Sequence, residues 1–284
     1  MVFGGEFSMR HRSAFFLLIT AGISMLASAL VCAGEMPAYE AYAVRFATCP
    51  GCPLANLVKG AAPGRTIDLA MTFWVLKDPG VRTVLVDTGF YRQEVIKSYG
   101  GAADFTRPDK ALERLGMKPD EVTDVILTHM HSDHVDGADL FPKAQIWIQK
   151  EEYAHYAEKP GQPEYISALV RLNTLGRVHL VDGDAREIIP GVTVYTGGKH
   201  TFASQYVGAN TKAGTVVIAS DNAYVYENLE KHVPIAATLD AKSNLAAQDR
   251  MKKIASNPRL IIPGHDPEVF VRFPKPGNSV ARLE

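Results

Sequence analysis

The 284-residue sequence has little cysteine and almost no net charge. Its 30 lysine and arginine residues are balanced by 31 aspartate and glutamate residues, so the formal net charge is −1. A nucleic-acid groove requires a basic surface, and this balance therefore excludes nucleic acid as an expected partner. No low-complexity segment and no repeat of fixed period is present. The 46% apolar and 21% charged content is typical of a globular protein with one large or two small domains.

Only three cysteines occur, and Cys32 lies in the amino-terminal apolar segment. The other two form the motif Cys49-Pro50-Gly51-Cys52. A zinc ribbon would need a second cysteine pair, and the surrounding sequence lacks the strand and helix of a thioredoxin-like motif. In an oxidising compartment we therefore expect a small disulfide across a Pro-Gly turn. Because the loop is short, its gain in stability should be modest.

The first 33 residues are typical of a secretory signal peptide. Basic residues follow Met9, where translation could also begin, and residues 14–33 are apolar or small. Cleavage is expected after Ala29 or Ala33. Polar residues within the segment disfavour an uncleaved anchor, and Val31 before the cysteine disfavours a lipoprotein signal. We expect a periplasmic or secreted protein with no stable membrane anchor after cleavage.

Hydrophobic periodicity indicates a mixture of strands and helices. Two strands are predicted between Tyr39 and Val75, separated by a Pro- and Gly-containing loop at 50–65. Helices are predicted over Arg92–Tyr99, Pro108–Leu115, Glu151–Ala157, Tyr165–Leu175 and Leu245–Ala255. This pattern alone predicts only a mixed α and β fold.

The strongest motif, Thr128-His129-Met130-His131-Ser132-Asp133-His134, follows the apolar run Val125-Ile126-Leu127. Side chains alternate along a strand, so His129 and His131 should point to the same side. The next turn lets Asp133 and His134 converge on a neighbouring point. Imidazoles and a carboxylate suit zinc or a similar divalent ion. The alternative, a few histidines on a surface loop, is disfavoured by this spacing.

Three further candidate ligands each follow a β-like run in the second half of the sequence. Taken alone, each could be a loop histidine or a helix cap. Ligands at the ends of successive strands, however, can meet at one rim of a sheet. The candidates are His200 after Val192–Tyr195, Asp221 after Thr215–Ala219, and His265 after Leu260–Ile262.

Together these motifs resemble the signature of the metallo-β-lactamase superfamily. The run Val84–Gly89 is similar to the superfamily's strand-Asp-Thr-Gly turn, in which Asp87 is expected to support a ligand rather than bind metal. The resemblance covers residues 66–273. It implies an α+β fold, the αββα four-layer sandwich, with residues 34–284 forming a single hydrolase domain.

The resemblance also implies a two-metal site, with Zn²⁺ as the expected ion. One ion would be held by His129, His131 and His200, the second by Asp133, His134 and His265, and Asp221 would bridge both. Two such ions lower the pKa of a shared water, and a bridging hydroxide can then attack the substrate. Asp133 is therefore assigned to catalysis as well as to metal binding, and Ser220 is assigned no nucleophilic role.

Tyr224 narrows the expected substrate. Asp221-Asn222-Ala223-Tyr224 and Gly264-His265-Asp266 resemble the N-acyl-homoserine lactone lactonases, in which a phenol at this place lies beside the metals. Such a phenol could donate to the carbonyl or leaving oxygen; alternatively, Tyr224 could simply open a helix. The resemblance implies a small ester or lactone substrate, such as an N-acyl-homoserine lactone (quorum quenching). A homodimer is compatible with the sequence.

Other functions remain open. A zinc β-lactamase is disfavoured by the aspartate at 221. A thioesterase or a phosphotriesterase of the same superfamily can be separated from a lactonase only by assay, because this fold hosts many hydrolyses. A non-catalytic metal-binding protein is disfavoured by the complete ligand set.

Overall fold

A seven-stranded sheet and a five-stranded sheet form the framework of the protein in its computed structural model. The structure describes residues 36–78, 80 and 82–284, together with Met1. Apart from Met1, the predicted signal peptide with its cleavage sites lies outside the described residues. Residues 36–284 form one compact unit. Among the described residues, no helix has the length and apolar character needed to cross a membrane.

The first sheet is parallel in one half and antiparallel in the other. It contains β1 (Glu40–Pro53), β2 (Thr66–Lys77), β3 (Thr83–Val86), β4 (Asp124–Ile126), β5 (Gln145–Gln149), β6 (Val178–Val181) and β12 (Val280–Arg282). The strand order is β12-β1-β2-β3-β4-β5-β6. Strands β3 to β6 are parallel, whereas β12, β1, β2 and β3 are paired antiparallel.

The second sheet is antiparallel except at one edge. Its strands are β7 (Arg186–Ile189), β8 (Val192–Thr196), β9 (Gln205–Thr211), β10 (Gly214–Ser220) and β11 (Ile261–Pro263), in the order β11-β10-β9-β8-β7. The pair β10 and β11 is parallel. The carboxyl ends of these two strands therefore lie side by side.

In the described part of the chain, eight short or medium α-helices connect and cover the strands. They are α1 (Gln93–Ser98), α2 (Pro108–Ala111), α3 (Ser132–Val135), α4 (Lys150–Ala157), α5 (Glu164–Thr174), α6 (Tyr226–Glu230), α7 (Ala241–Ile254) and α8 (Val269–Arg272). The helix predicted over 108–115 is α2 continued by a 3₁₀ turn at Leu112–Leu115. Helix α7 begins earlier than predicted because the Asp240 carboxylate accepts hydrogen bonds from the first-turn amides of Lys242 and Ser243.

The buried side chains of the described residues form two hydrophobic clusters. One contains Trp74 and Ile126 from the first sheet with Val207 and Ile262 from the second. The other lies against the opposite face of the first sheet, where α1 to α5 contribute residues such as Leu169. The central part of β2 is buried on both faces, which explains why its sequence alternates only partly. The architecture is the predicted α+β sandwich.

The predicted disulfide is wrong, because Cys49 and Cys52 are free thiols. Strand β1 does not end at Pro50-Gly51 but continues to Pro53, with a shift of register against β2 between the two cysteines. The buried Cys49 Sγ lies 3.5 Å from the Tyr99 carbonyl oxygen. The Sγ of the half-buried Cys52 lies 3.8 Å from the Pro53 carbonyl oxygen. The two thiols therefore have different partners.

Candidate metal centre

Seven side chains predicted as ligands converge where strands from both sheets end. They form two groups, and within each group the potential ligand atoms lie within 4.8 Å of one another. Strand β4 leads into the loop with His129 and His131, and α3 carries Asp133 and His134. The other three follow strands β8, β10 and β11 of the second sheet. The groups are His129, His131, His200 and Asp221, and Asp133, His134 and His265.

The first group is built around one ring nitrogen of His131. Its Nδ1 lies 3.2 Å from Nε2 of His129 and 2.9 Å from Nε2 of His200. The Oδ2 atom of Asp221 lies 3.2 Å from Nε2 of His200 and 3.6 Å from Nε2 of His129. Three imidazole nitrogens and one carboxylate oxygen thus face one point.

The second group faces the other oxygen of the same aspartate. Asp221 Oδ1 lies 3.0 Å from Nε2 of His265 and 3.3 Å from Nε2 of His134. Asp133 Oδ2 lies 3.5 Å and 3.3 Å from the same two nitrogens. Asp221 therefore directs one oxygen to each group, which is the arrangement needed of a bridging ligand.

Four of the five histidines have their second ring nitrogen held by a neighbour. A protonated Nδ1 that donates to an oxygen leaves Nε2 with a free lone pair, which is the tautomer that a metal requires. The Nδ1 partners are Thr128 Oγ1 for His129 (3.0 Å), Asp87 Oδ2 for His134 (2.8 Å), the Ala237 carbonyl oxygen for His200 (2.9 Å) and the Ala70 carbonyl oxygen for His265 (3.2 Å).

The protonation and burial of the first group suit a cation. Burial, together with His134 and His200, holds the pKa of His129 well below its usual value. Burial and the neighbouring His200 lower the pKa of His131 to about 4. Both rings are therefore neutral at neutral pH, with lone pairs available to a metal.

Within the part of the chain that the structure describes, two buried polar atoms of the cluster have no hydrogen-bond partner, namely His134 Nε2 and Asp221 Oδ1. Such atoms are costly unless something satisfies them. Both face the interior of the second group, where a divalent ion would accept their lone pairs. Imidazole and carboxylate donors in this ratio suit Zn²⁺ or a similar ion. The residues present therefore fit the two metal ions implied by the sequence motifs.

Asp87 supports the cluster as predicted. It is fully buried at the end of β3 and adopts a left-handed φ of 60°. Its oxygens accept hydrogen bonds from the amide (2.7 Å) and hydroxyl (2.8 Å) of Thr128, from Ser220 Oγ (3.1 Å) and from His134 Nδ1 (2.8 Å). Ser220 Oγ is thereby engaged in a hydrogen bond in the protein interior.

A cavity of about 170 Å³ opens beside the cluster. Tyr224 borders it, with its hydroxyl 3.3 Å from His200 Nδ1. It lies before α6 rather than inside the helix. Burial, with Asp221 and Asp133, raises the pKa of Tyr224, so the phenol remains protonated at neutral pH.

Sequence reasoning missed the apolar and aromatic wall of this cavity. Leu57, Leu69, Met71 and Tyr99 line it alongside the ligands. No motif marks these residues, because they come from the loop after β1, from β2 and from the segment after α1. Only the fold brings them to the site.

A two-sheet sandwich whose strand ends carry such a His and Asp cluster defines a metal-dependent hydrolase. Residues 70–265 match the family model of the Metallo-beta-lactamase superfamily. The chain belongs to this superfamily.

The relatives of this chain include lactonases. An N-acyl homoserine lactonase from Bacillus cereus is 29% identical over 223 residues, covering 72% of this chain and 85% of the relative. The N-acyl homoserine lactonase AiiB from Agrobacterium fabrum (strain C58 / ATCC 33970) is 26% identical over 245 residues, covering 76% of this chain and 87% of that relative. The chain is thus related to these enzymes at moderate identity.

A solved structure of an N-acyl homoserine lactone hydrolase is similar to this protein over most of its length. In it, the product N-hexanoyl-L-homoserine is bound at the catalytic metal center. The TM-score is 0.68 and the sequence identity 25%, over 82% of this chain and 95% of that one. The protein shares the fold of that hydrolase.

Proposed function

We propose that the protein is a two-metal lactonase that opens the ester ring of N-acyl-homoserine lactones. The observation that carries the proposal is the position of Asp221, with one oxygen toward each ligand group, beside a cavity that Tyr224 borders. The relatives' activity on these lactones supports the choice of substrate.

The proposed ligands are the seven side chains of the two groups, with Zn²⁺ as the proposed ion. When bound, two divalent ions supply a Lewis acid for the substrate carbonyl and lower the pKa of water toward neutrality. The chain contributes the fixed tautomers of its histidines and the bridging carboxylate of Asp221. Asp133 is proposed as a ligand of the second ion, close to the reacting atoms.

Tyr224 is proposed as the proton donor of the chain. His200 Nδ1 is 2.9 Å from the Ala237 carbonyl oxygen and therefore carries a proton that it donates there. The Tyr224 hydroxyl, 3.3 Å from the same Nδ1, finds no acceptor in that nitrogen. Its proton remains available to the carbonyl or leaving oxygen of a bound lactone.

The cavity wall supports an acyl substrate. Leu57, Leu69 and Met71 present apolar surface next to the charged cluster. An amphipathic molecule with a polar ring and an apolar acyl chain matches this division, because each part meets a surface of its own polarity.

We also propose that the protein is exported and acts on lactones outside the cytoplasm, as a quorum-quenching enzyme would. The support comes from the basic residues after Met9 and the apolar residues 14–33 of the sequence. Amino-terminal sequencing of the protein recovered from its native cell would test this proposal, with a start after Ala29 or Ala33 as the expected result.

A pH-stat assay of the zinc-loaded protein tests the proposed activity. Hydrolysis of each substrate releases acid, so one instrument can compare acyl-homoserine lactones, a simple lactone, a cephalosporin, a thioester and a phosphotriester. We expect the highest kcat/KM with an acyl-homoserine lactone. A preference of tenfold or more for any of the non-lactone substrates would contradict the proposal.

A further inference from the structure

A buried carboxylate outside the cluster contacts both loops that carry the histidines of the first group. Glu152 lies in α4 and has a relative exposure of 0%. Its Oε1 accepts a hydrogen bond from the Met130 amide at 3.1 Å. Its Oε2 accepts one from the Ala203 amide at 2.7 Å. One side chain thereby links the His129–His131 loop to the loop after His200.

Burying the carboxylate of Glu152 is energetically costly, and a role in linking the two loops accounts for that cost. An acidic side chain removed from water is destabilising unless its oxygens are well paired. Among the described residues, Glu152 takes part in no ion pair with a lysine, arginine or histidine within 4.0 Å. Its oxygens are paired with backbone amides instead, one from each loop. A glutamate that only filled space could be replaced by an apolar residue at lower cost.

We infer that Glu152 is a positioning residue for the metal ion of the first group. It fixes the distance between the loop of His129 and His131 and the loop of His200, so that their three nitrogens face one point. The inference rests on the proposed metal binding.

The second group does not depend on this link. His134 is held by Asp87 and His265 by the Ala70 carbonyl oxygen. Glu152 makes no hydrogen bond to the segments around these four residues among those the structure describes. Removal of the Glu152 carboxylate is therefore expected to weaken binding of the ion in the first group and to leave binding in the second group unchanged.

Glu152→Gln tests this selectivity in the full chain. Glutamine keeps the volume but turns an NH₂ group toward one of the two amide donors, so one bond is lost. In titrations with Co²⁺ alone, we expect the affinity for one ion to fall about 10- to 100-fold and the affinity for the other to be unchanged. The visible absorption of the weakened site should change as well. Two ions bound with wild-type affinity and spectrum would overturn the inference.

Glu152→Asp distinguishes the effect of side-chain length from the effect of negative charge. Aspartate keeps the negative charge but is one methylene shorter, so it cannot contact both amides. We expect the same selective loss as with glutamine. Wild-type affinity in the aspartate variant would show that charge rather than reach matters, and the positioning role would be wrong.

Asp124→Asn is the matched control. Asp124 is another buried carboxylate, at the opposite end of β4 from the cluster, where it accepts hydrogen bonds from Trp147 Nε1 (3.0 Å), Thr123 Oγ1 (2.8 Å) and Arg82 Nη1 (3.2 Å). We expect a loss of thermal stability with both ion affinities unchanged. If Asp124→Asn lowered the affinity for the same ion as much as the Glu152 variants do, general destabilisation would explain the effect and the inference would fail. A wild-type protein that binds no ion would instead overturn the proposed function.

Discussion

At the scale of single residues, the site depends on pairs of groups far apart in the sequence. The candidate ligands could be located from the sequence because their motifs are local and follow β-like runs. The groups that orient the histidines could not be predicted, because a sequence motif does not reveal contacts to the main-chain carbonyl groups of Ala70 and Ala237. A main-chain oxygen carries no side-chain signature, and only the tertiary fold brings it to a histidine. Asp87 was predictable because its own turn has a recognisable sequence.

Tyr224→Phe tests the proposed donor. The variant should retain both metals, since no ligand is removed, and the ring still fills its place. Loss of one donor to a developing oxyanion typically costs about 3 kcal/mol, or roughly a hundredfold in rate, and bound cations should reduce that figure. We expect the loss in kcat for lactone opening rather than in KM, measured beside metal content.

Tyr226→Phe is the control for that experiment. The buried Tyr226 hydroxyl has no hydrogen-bond partner among the residues that the structure describes, and Tyr226 does not border the cavity. Its removal should therefore leave lactone turnover unchanged. Equal rates in wild type and Tyr224→Phe, or equal losses in the two variants, would speak against a donor role for Tyr224.

At the scale of elements, strand ends determine where the candidate ligands lie. Strands β8, β10 and β11 end within one residue of the predicted runs, because short apolar segments bounded by glycine or proline give a clear signal. The prediction for the Cys49–Cys52 segment is wrong because its local sequence signal is misleading. Proline and glycine there suggested a turn, but pairing with β2 keeps the chain extended beyond them. Cross-strand pairing is a tertiary effect that a local pattern does not contain.

Gly264→Ala tests the close packing of the turns after β10 and β11. A Cβ at this position would lie 2.8 Å from Asp221 Oδ1 and 3.0 Å from the Ser220 carbonyl carbon and oxygen. The backbone cannot yield easily, so Asp221 should be displaced from its bridging position. Overpacking of this kind costs about 1–3 kcal/mol. We expect lower stability in urea denaturation and fewer than two bound metal ions per chain.

Gly277→Ala provides the comparison. Its added Cβ would meet no heavy atom of the described residues within 4 Å. Stability and metal content should therefore match the wild type. Two ions per chain in Gly264→Ala would mean that Asp221 is less constrained by its neighbours than the structure indicates.

At the scale of the whole molecule, the candidate metal centre joins the two sheets. His129 and His131 follow β4 of the first sheet, while His200 and Asp221 follow strands of the second. The hydrophobic cluster between the sheets holds their faces together, but among the described residues two buried atoms at the rim, His134 Nε2 and Asp221 Oδ1, have no hydrogen-bond partner. Metal ions bound there would connect the sheets at that rim, so metal content and global stability should be coupled.

Removal of the metals should therefore lower the melting temperature. An ion that binds only the folded state adds about 2.7 kcal/mol at a free concentration one hundred times its Kd. Two such ions would add roughly 5 kcal/mol. Because each kcal/mol shifts Tm by about 2–4 °C in a protein of this size, chelation should lower Tm by about 10–20 °C. Calorimetry of the protein before and after chelation, with metal analysis of both samples, measures the change.

Asp221→Ala identifies the source of that shift. Without its bridging carboxylate the variant should hold its ions weakly, so chelation should change its Tm much less than that of the wild type. A wild-type Tm that stays constant after complete removal of metal would show that the sheets are held by their hydrophobic contacts alone. The metals would then serve only the chemistry of the site, and the unpaired His134 Nε2 and Asp221 Oδ1 would have to be satisfied by water when the ions are absent.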